Sequence, residues 1–255
     1  MTTGAPNPRR GALEQGALER LAADGAARVG EAGSDGDPTA YGARVETSRR
    51  ALRWAAETFG QGLTVASSMG DEVVVHLAGT TVPGVDVGFI DTGYHFAETL
   101  GTRDAYAQLL PVTMRTVLPL HTVAEQDAEH GPRLHDRDPD RCCALRKVEP
   151  LERALAGRPA WVTGMRRADA PTRTDIGLVG WDARRAMVKV NPLAAWTDDD
   201  VARFTAEEQV FENPLRQAGF ASIGCAPCTR AVADGEDPRA GRWAGSAKTE
   251  CGLHT

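Results

Sequence analysis

The chain has 255 residues, of which 42% are hydrophobic and 25% are charged, and its formal net charge at pH 7 is −6. These values are typical of a globular protein with one sizeable domain. The mild negative charge argues against non-specific nucleic-acid binding, and the apolar runs are too short to cross a membrane. Residues 1–10 lack the apolar core of a signal peptide, so we predict a cytoplasmic protein.

The first 42 residues are rich in small and polar side chains. Leu13, Leu18 and Leu21 predict a short helix there. The Gly- and Asp-rich stretch 30–38 has too little apolar surface to order itself. We therefore predict a mostly mobile N-terminal arm over residues 1–42, followed by a firm helix at 45–59.

Beyond this helix, short apolar strands alternate with helical patterns. Strands are predicted at 63–67, 85–90, 115–118, 161–163 and 187–190, and helices at 71–78, 94–110 and 198–208. The pattern at 71–78 also allows a strand, but Asp71 and Glu72 favour a helix start. The alternation indicates an α/β domain with a mainly parallel sheet flanked by helices. We place it at residues 43–233, with residues 234–255 as a C-terminal tail.

Polar residues follow several predicted strands. Ser67 and Ser68 come after the first strand, Asp91 after the second, and residues 164–167 after the fourth. Because ligands of parallel sheets bind at the carboxyl ends of strands, these residues are candidates for holding a nucleotide. Each motif alone also fits an ordinary capped turn between a strand and a helix.

Four of the five cysteines form two pairs, which are Cys142 with Cys143 and Cys225 with Cys228. In the cytosol, paired thiols are more often metal ligands or redox groups than disulfides. The adjacent pair falls on a predicted helix at 140–149 that Pro150 ends or kinks.

Neighbouring helical side chains diverge by about 100°, which suits separate irons of a [4Fe–4S] cluster better than one ion. Lys147 lies one turn beyond Cys143 and is placed to offset the charge of such a cluster. A four-thiolate zinc site and unligated buried cysteines remain alternatives.

The fifth cysteine, Cys251, stands apart in the tail and is the candidate nucleophile. A thiol so near a chain end is expected to be exposed. Lys248 and His254 favour its thiolate form, whereas Glu250 opposes it. The alternative is an incidental tail cysteine.

Eight sequence blocks together resemble one family. They are VASS at 65–68, FIDTGYHFAET at 89–99, CCALRKVEPL at 142–151, TGMRR at 163–167, APTR at 170–173, VNPL at 190–193, GCAPC at 224–228 and ECGLH at 250–254. The chain resembles the assimilatory adenosine 5'-phosphosulfate reductases of the phosphoadenylyl-sulfate reductase family. The resemblance runs from about residue 45 to the end and leaves the N-terminal arm uncovered.

This resemblance implies a fold like that of the adenine-nucleotide α-hydrolases. It implies reduction of adenosine 5'-phosphosulfate to sulfite and AMP by an enzyme of sulfate assimilation, with thioredoxin as electron donor. It implies Cys251 as nucleophile and the two cysteine pairs as [4Fe–4S] ligands. The family positions that contact the phosphosulfate or the tail thiol match Lys147, Arg173, Arg239, Arg242 and His254.

The sequence departs from the family in its first loop, which reads Met69-Gly70-Asp71-Glu72 where relatives often have Gly-Ala-Glu-Asp. Three other functions remain open. They are reduction of the 3'-phosphorylated substrate, ATP-dependent sulfate adenylylation, and a zinc-stabilised module without catalysis. No membrane or nucleic-acid partner is expected, and a homo-oligomer is an open alternative to a monomer.

Overall fold

The computed structural model describes residues 8–30, 37–243, 248 and 252. Its strands are β1 Leu63–Ser67, β2 Asp86–Ile90, β3 Thr113–Val117, β4 Ala160–Val162, β5 Val179–Asp182 and β6 Met187–Val190. They form one sheet in the order β3-β2-β1-β4-β6-β5. The pairs β2–β3, β1–β4 and β4–β6 are parallel, and β5 runs antiparallel to β6.

Helices accompany the strands along the chain. They are α1 Pro8–Val29, α2 Tyr41–Phe59, α3 Glu72–Thr81, α4 Ala97–Leu109, α5 Val123–His130, α6 Leu134–Arg137, α7 Pro139–Cys143, α8 Glu149–Leu155 and α9 Asp198–Glu207. The predicted fold class, a mainly parallel sheet flanked by helices, is confirmed. Within the described residues, no helix is long and apolar enough to cross a membrane.

The sheet has one strand that the sequence analysis missed. Val179–Asp182 forms β5 at the sheet edge, paired with β6 from Val179 opposite Val190 to Asp182 opposite Met187. Its half-exposed residues include Gly180 and show no clear alternation of apolar and polar side chains. Because the strand depends on its partner rather than on its own pattern, local periodicity did not reveal it.

The helix predicted at 94–110 begins three residues later, at Ala97. Phe96 is extended, with φ −63° and ψ 152°. The preceding residues are held by contacts outside any helix: His95 Nε2 lies 2.9 Å from the carbonyl oxygen of Ile90. These residues therefore belong to the loop that follows β2.

Helical backbone continues from the adjacent cysteines past Pro150, so the predicted end of the helix at that residue is wrong. A π-helical turn, Ala144–Val148, joins α7 to α8. Its wider turn is closed by a hydrogen bond from the amide of Glu149 to the carbonyl oxygen of Ala144. Pro150 lies in the first turn of α8, where a missing N–H costs little.

The chain divides into two compact units. One comprises residues 1–65 and 157–204, and the other comprises residues 66–156 and 205–255. Each unit combines two separate stretches of the chain, whereas the sequence predicted a succession of arm, domain and tail. The boundaries at 42 and 233 stay a prediction.

In the first unit, α1 is 22 residues long, whereas the sequence predicted only a short helix in this arm. It contacts β5 and β6 and buries Ala22 and Val29. A buried ion pair between Arg44 and Asp200 ties α2 to α9, with a distance of 2.7 Å between the Arg44 Nη2 and Asp200 Oδ1 atoms. Residues 31–36 lie outside the described part of the chain.

A buried carboxylate joins two segments of the second unit. Glu72, 1% exposed, accepts hydrogen bonds from the amide of Asn213 and from the guanidinium of Arg216. The Asn213 side chain in turn donates to Thr99 Oγ1 and to the carbonyl oxygen of Met69. These bonds tie the loop after β1 to the segment around residue 213.

Candidate functional site

Both cysteine pairs of the sequence line one cavity in the second unit. Its wall is formed by Tyr94, His135, Pro139, Cys142, Cys143, Arg146, Lys147, Cys225, Pro227 and Cys228. All four thiols are free of disulfide bonds. The fold therefore brings together the four thiols that the sequence grouped, although they lie more than 80 residues apart along the chain.

The adjacent pair is presented by a well-capped helix start. Asp138 is the N-cap of α7 and accepts a hydrogen bond of 2.9 Å from the amide of Arg141. Pro139 occupies the first turn, where its fixed φ suits a helix. Cys142 and Cys143 end this short helix and are 7% exposed each.

The second pair lies on a short 3₁₀ turn, Ala226–Cys228, which follows Cys225. Its backbone is anchored by a hydrogen bond of 2.7 Å from the amide of Ala226 to the carbonyl oxygen of Tyr94. The loop after β2 thus positions this pair.

Burial and neighbouring thiols disfavour the ionisation of two of these cysteines, Cys142 and Cys228. Burial, together with the neighbouring thiols, raises the pKa of Cys142 to about 12. Burial and the Cys225 thiol likewise raise the pKa of Cys228 to about 11. Four thiolates in this cavity therefore require positive charge, which is the condition that an iron–sulfur cluster or a metal ion meets. Within the described part of the chain, no three His, Cys, Asp or Glu side chains are arranged to hold a single metal ion.

Two cations on the π-helical turn line the same cavity. Lys147 is 8% exposed, and its charge lowers the pKa of Cys228 against the larger opposing effect of burial. Arg146, 3% exposed, donates to the carbonyl oxygens of Thr92 and His121 and to Gln126 Oε1. Its guanidinium carbon also lies 5.2 Å from the centre of the Tyr94 ring.

Thr92 links the loop after β2 directly to the cysteine cavity. Its hydroxyl oxygen lies 3.3 Å from the Cys225 sulfur. Neither Thr92 nor Arg146 was among the site residues predicted from the sequence. Both lie inside the family-like blocks, but only their contacts in the fold distinguish them from the other residues of those blocks.

The strand-end residues of the second unit form compact loops. The Ser67 hydroxyl accepts a hydrogen bond of 3.0 Å from the amide of Met69, and Ser68 is half-buried. Asp91 accepts a bond of 2.9 Å from the amide of Gly93. The Asp91 carboxylate also lies 3.9 Å from the guanidinium of Arg103.

The loop that departs from the family pattern has an unusual backbone. Met69 has φ +51°, which few residues other than glycine adopt. A Cβ on Gly70 would stand 2.5 Å from the carbonyl oxygen of Ile223, so glycine is required for this close approach. Since Glu72 is bonded to Arg216 and Asn213, its carboxylate has a structural role.

The predicted arginine contacts lie in different surroundings. In the second unit, Arg242 donates to Ser222 Oγ and to the carbonyl oxygen of Ile223, while Arg239 is half-buried in a turn. Arg173 belongs to the first unit, where it is 8% exposed and donates to Asp169 at 3.0 Å.

The first part of the predicted tail folds back toward the second cysteine pair. Thr229 and Arg242 form an antiparallel bridge, and the amide of Trp243 donates to the carbonyl oxygen of Cys228 at 2.9 Å. Further along, the Lys248 ammonium pairs with Asp140 in the first turn of α7. Cys251 and His254 fall outside the described residues.

Comparison with proteins of known structure identifies the fold of this chain. A solved FMN adenylyltransferase from Candida glabrata, in complex with FAD and pyrophosphate, superposes with a TM-score of 0.56 at 14% identity. The match covers 88% of this chain and 78% of that chain, and it shows the fold alone. The phosphate complex of a phosphoadenylyl-sulfate reductase from Candida auris gives a TM-score of 0.60 at 27% identity, over 78% of this chain and 100% of that chain. The fold is therefore that of the adenine-nucleotide α-hydrolase-like proteins.

Comparison of amino-acid sequences identifies the family as well as the fold. The model of the phosphoadenosine phosphosulfate reductase domain matches residues 62–231. An adenosine 5'-phosphosulfate reductase from Streptomyces coelicolor is 60% identical over 208 residues, which are 82% of this chain and 88% of the relative. One from Rhodococcus opacus is 50% identical over 250 residues, 94% of this chain and 96% of the relative. The chain belongs to the phosphoadenosine phosphosulfate reductase family, as its sequence motifs predicted.

Proposed function

We propose that this chain reduces adenosine 5'-phosphosulfate to sulfite and AMP, with thioredoxin as the electron donor. Family membership and the relatives named adenosine 5'-phosphosulfate reductase support an oxidoreductase that acts on sulfur. The observation that carries the choice of substrate is the cavity lined by both cysteine pairs together with Lys147. In the family that the sequence resembles, chains with both pairs usually take the substrate without a 3'-phosphate.

The cavity suits a [4Fe–4S] cluster by its donor set. Cys142, Cys143, Cys225 and Cys228 would hold it, because four thiolates are the usual ligands of such a cluster. When bound, the cluster would offset the negative charge of the four thiolates with its irons. It would also act on the substrate electrostatically. We assign it no electron transfer, since thiols supply both electrons of the reaction.

The chemistry of the substrate sets the demands on the cations. The sulfur to be attacked carries negatively charged oxygens that repel an approaching thiolate, so nearby cations must screen this repulsion. In the second unit, the candidates for these screening cations are Lys147, Arg239 and Arg242. Arg173 remains a predicted substrate contact. Arginine suits this task because its planar fork binds two oxygens at once.

Cys251 is the proposed nucleophile. Its thiolate attacks the sulfur of the substrate, the bond between that sulfur and the bridging phosphate oxygen breaks, and AMP leaves with the bond's electron pair. The product on the enzyme is a cysteine S-sulfonate. A thioredoxin thiolate then attacks the Cys251 sulfur and releases sulfite, and the second thioredoxin thiol resolves the mixed disulfide and frees the enzyme. Ser67, Ser68 and Asp91 are proposed to hold the adenosine, and His254 is proposed to act beside the thiol.

The test is to trap the intermediate. Anaerobically purified protein is incubated with adenosine 5'-phosphosulfate in the absence of any reductant, and the C-terminal peptide is analysed by mass spectrometry. We expect one added sulfo group on Cys251 and release of AMP, and we expect Cys251→Ser to show neither while keeping its iron. An unmodified peptide in a sample that still forms sulfite contradicts this chemistry.

A second candidate substrate is 3'-phosphoadenosine 5'-phosphosulfate, because the family model and the Candida auris neighbour are both named for it. Turnover on the two nucleotides at equal concentration decides between them. Iron and acid-labile sulfide analysis decides between the cluster and a zinc-stabilised module, since zinc without sulfide would refute the cluster.

A further inference from the structure

A histidine is among the residues that line the cysteine cavity. The inference drawn from it rests on the cluster proposed above. His135 lies in α6, the short helix that precedes α7, and lines the cavity together with the four cysteines. Its ring packs edge-on against Tyr94, with 5.3 Å between the ring centres. The side chain is 13% exposed, so the ring is held in place by its neighbours.

The two ring nitrogens of His135 have different surroundings. Nε2 lies 3.6 Å from Asp136 Oδ2, which is beyond hydrogen-bond distance and leaves the tautomer undetermined by that contact. Nδ1 is buried and has no hydrogen-bond partner among the residues that the structure describes.

An unsatisfied buried nitrogen is costly. Leaving such a group without a partner costs about 1–3 kcal/mol, and proteins rarely tolerate it. Since His135 lines a cavity whose other walls carry four thiols, a proton on Nδ1 would have the sulfur atoms of that cavity as its nearest class of acceptor.

We propose that His135 Nδ1–H donates a hydrogen bond to sulfur, either a sulfide of the bound cluster or a ligating thiolate. Cluster sulfurs carry negative charge and accept such bonds, and hydrogen bonds to them tune the properties of a cluster. His135 is thus a positioning residue for the cluster, and it acts on substrate only through the cluster. It supplies a donor from the side of α6, separate from Lys147 on the π-helical turn.

The chain allows a matched set of variants. His135→Phe keeps a planar ring against Tyr94 and removes both nitrogens. His135→Asn places an amide N–H near the position of Nδ1 and keeps the donor. His130→Phe makes the same exchange five residues earlier, on a histidine that does not line the cavity, and controls for the loss of an imidazole.

Two measurements report on the hydrogen bond without using turnover. The first is the resonance Raman Fe–S stretching frequencies in H₂O and in D₂O. The second is the rate at which a chelator bleaches the visible absorbance of the cluster. Losing one hydrogen bond should speed bleaching about three- to tenfold.

We expect His135→Phe to shift the Fe–S frequencies, to lose part of the D₂O effect and to bleach faster, and His135→Asn and His130→Phe to resemble the wild type. A His135→Phe protein with wild-type frequencies and bleaching rate overturns the inference, as does a His135→Asn protein that behaves like His135→Phe. Circular dichroism of each variant confirms that it is folded.

The wild-type sample separates the two proposals. If the wild type holds no iron or sulfide, both the cluster and the hydrogen bond fail. If the wild type holds a cluster and His135→Phe leaves it unchanged, only the role of His135 fails.

Discussion

Asp200 shows how a single buried carboxylate organises its surroundings. It accepts two hydrogen bonds from the Arg44 guanidinium and one from the amide of Thr197. Burial by itself raises the pKa of Asp200, but the bonds from Arg44 and Thr197 outweigh it, so the pKa is lowered from its ordinary value of 3.8. The residue thus stabilises the first turn of α9 and anchors α2 at the same time.

We predict that Asp200→Asn lowers the free energy of unfolding by about 3–5 kcal/mol at pH 7, because the Arg44 charge is then buried without compensation. Urea denaturation of both proteins measures the difference. The control is Asp199→Asn, an exposed carboxylate in the same first turn of α9, which should change stability by less than about 0.5 kcal/mol. Equal effects of the two substitutions would contradict a special role for the Arg44 pair.

The ion pair between Arg44 and Asp200 should also make the stability of the protein depend on pH. Because the folded pKa of Asp200 lies below the unfolded value, its contribution to stability is present above pH 3.8 and is lost as the pH falls through the folded pKa. The stability gap between wild type and Asp200→Asn should therefore narrow only below about pH 4. If the stability gap already narrows between pH 7 and pH 5, a titratable group other than Asp200 causes the pH dependence.

Lys147 is proposed both to offset the charge of the cluster and to screen the charge of the substrate. It lines the cysteine cavity, and its charge acts on Cys228. We predict that Lys147→Ala lowers kcat/KM for adenosine 5'-phosphosulfate by about 10²-fold or more, as expected for the loss of an electrostatic contact to the reacting group. It should also abolish any change in the cluster spectrum on substrate addition. Lys189→Ala in the first unit is the matched control, and a substrate-induced spectral change that persists in Lys147→Ala would separate the cluster from the substrate.

At the scale of elements, the helix through residues 139–155 explains how adjacent cysteines and a proline coexist. The π-helical turn Ala144–Val148 separates α7 from α8 and lies directly after the cysteines. A π-helical turn contains one more residue than a regular turn, so it rotates the following side chains relative to a continuous α-helix. The actual direction of Lys147 therefore depends on this turn rather than on a simple four-residue spacing.

The loop between β1 and α3 depends on a close contact of its backbone. We predict that Gly70→Ala forces the loop away from Ile223, lowers the free energy of unfolding by about 1–3 kcal/mol and raises KM for the nucleotide. The control is Gly101→Ala in α4, where a Cβ would meet nothing within 4 Å. That substitution should stabilise the protein by about 0.5–1 kcal/mol, because alanine loses less entropy in a helix. Denaturation and initial-rate measurements on both variants check the prediction, and an unchanged KM in Gly70→Ala would remove this loop from the nucleotide site.

At the scale of the whole molecule, two strands of the sheet are contacted by a helix that lies outside the family-like blocks. The helix α1 contacts β5 and β6, and the carbonyl oxygen of Val29 at its end accepts hydrogen bonds from Arg50 in α2. The helix Pro8–Val29 thus adds a layer to the first unit. This explains why a segment outside the family-like blocks still has buried positions.

We predict that deletion of residues 1–30 lowers the melting temperature by at least several degrees, because it exposes apolar surface that α1 covers on β5 and β6. Differential scanning calorimetry measures the change, and iron content serves as the control, since the cysteine cavity lies in the other unit. A truncated protein with the melting temperature of the full chain would show that α1 contributes nothing to stability.

The amino-acid sequence was sufficient to predict the fold class, the family and the grouping of the cysteines. Alternating apolar segments predict a parallel α/β sheet because side-chain burial follows the local period, and the ECGLH and CCALRKVEPL blocks are specific enough to indicate the family. Local patterns also located β1 and the start of α7, where Asp138 and Pro139 act within a few residues of one another.

Contacts between residues that are far apart in the chain required the folded structure. The strand β5 exists through its pairing with β6, Thr92 is linked to Cys225 over 133 positions of sequence, and His135 reaches the cysteine cavity from a separate helix. These contacts depend on the three-dimensional path of the chain, which no local periodicity encodes. The π-helical turn at Ala144–Val148 belongs with them, since no predicted element of the sequence indicated it.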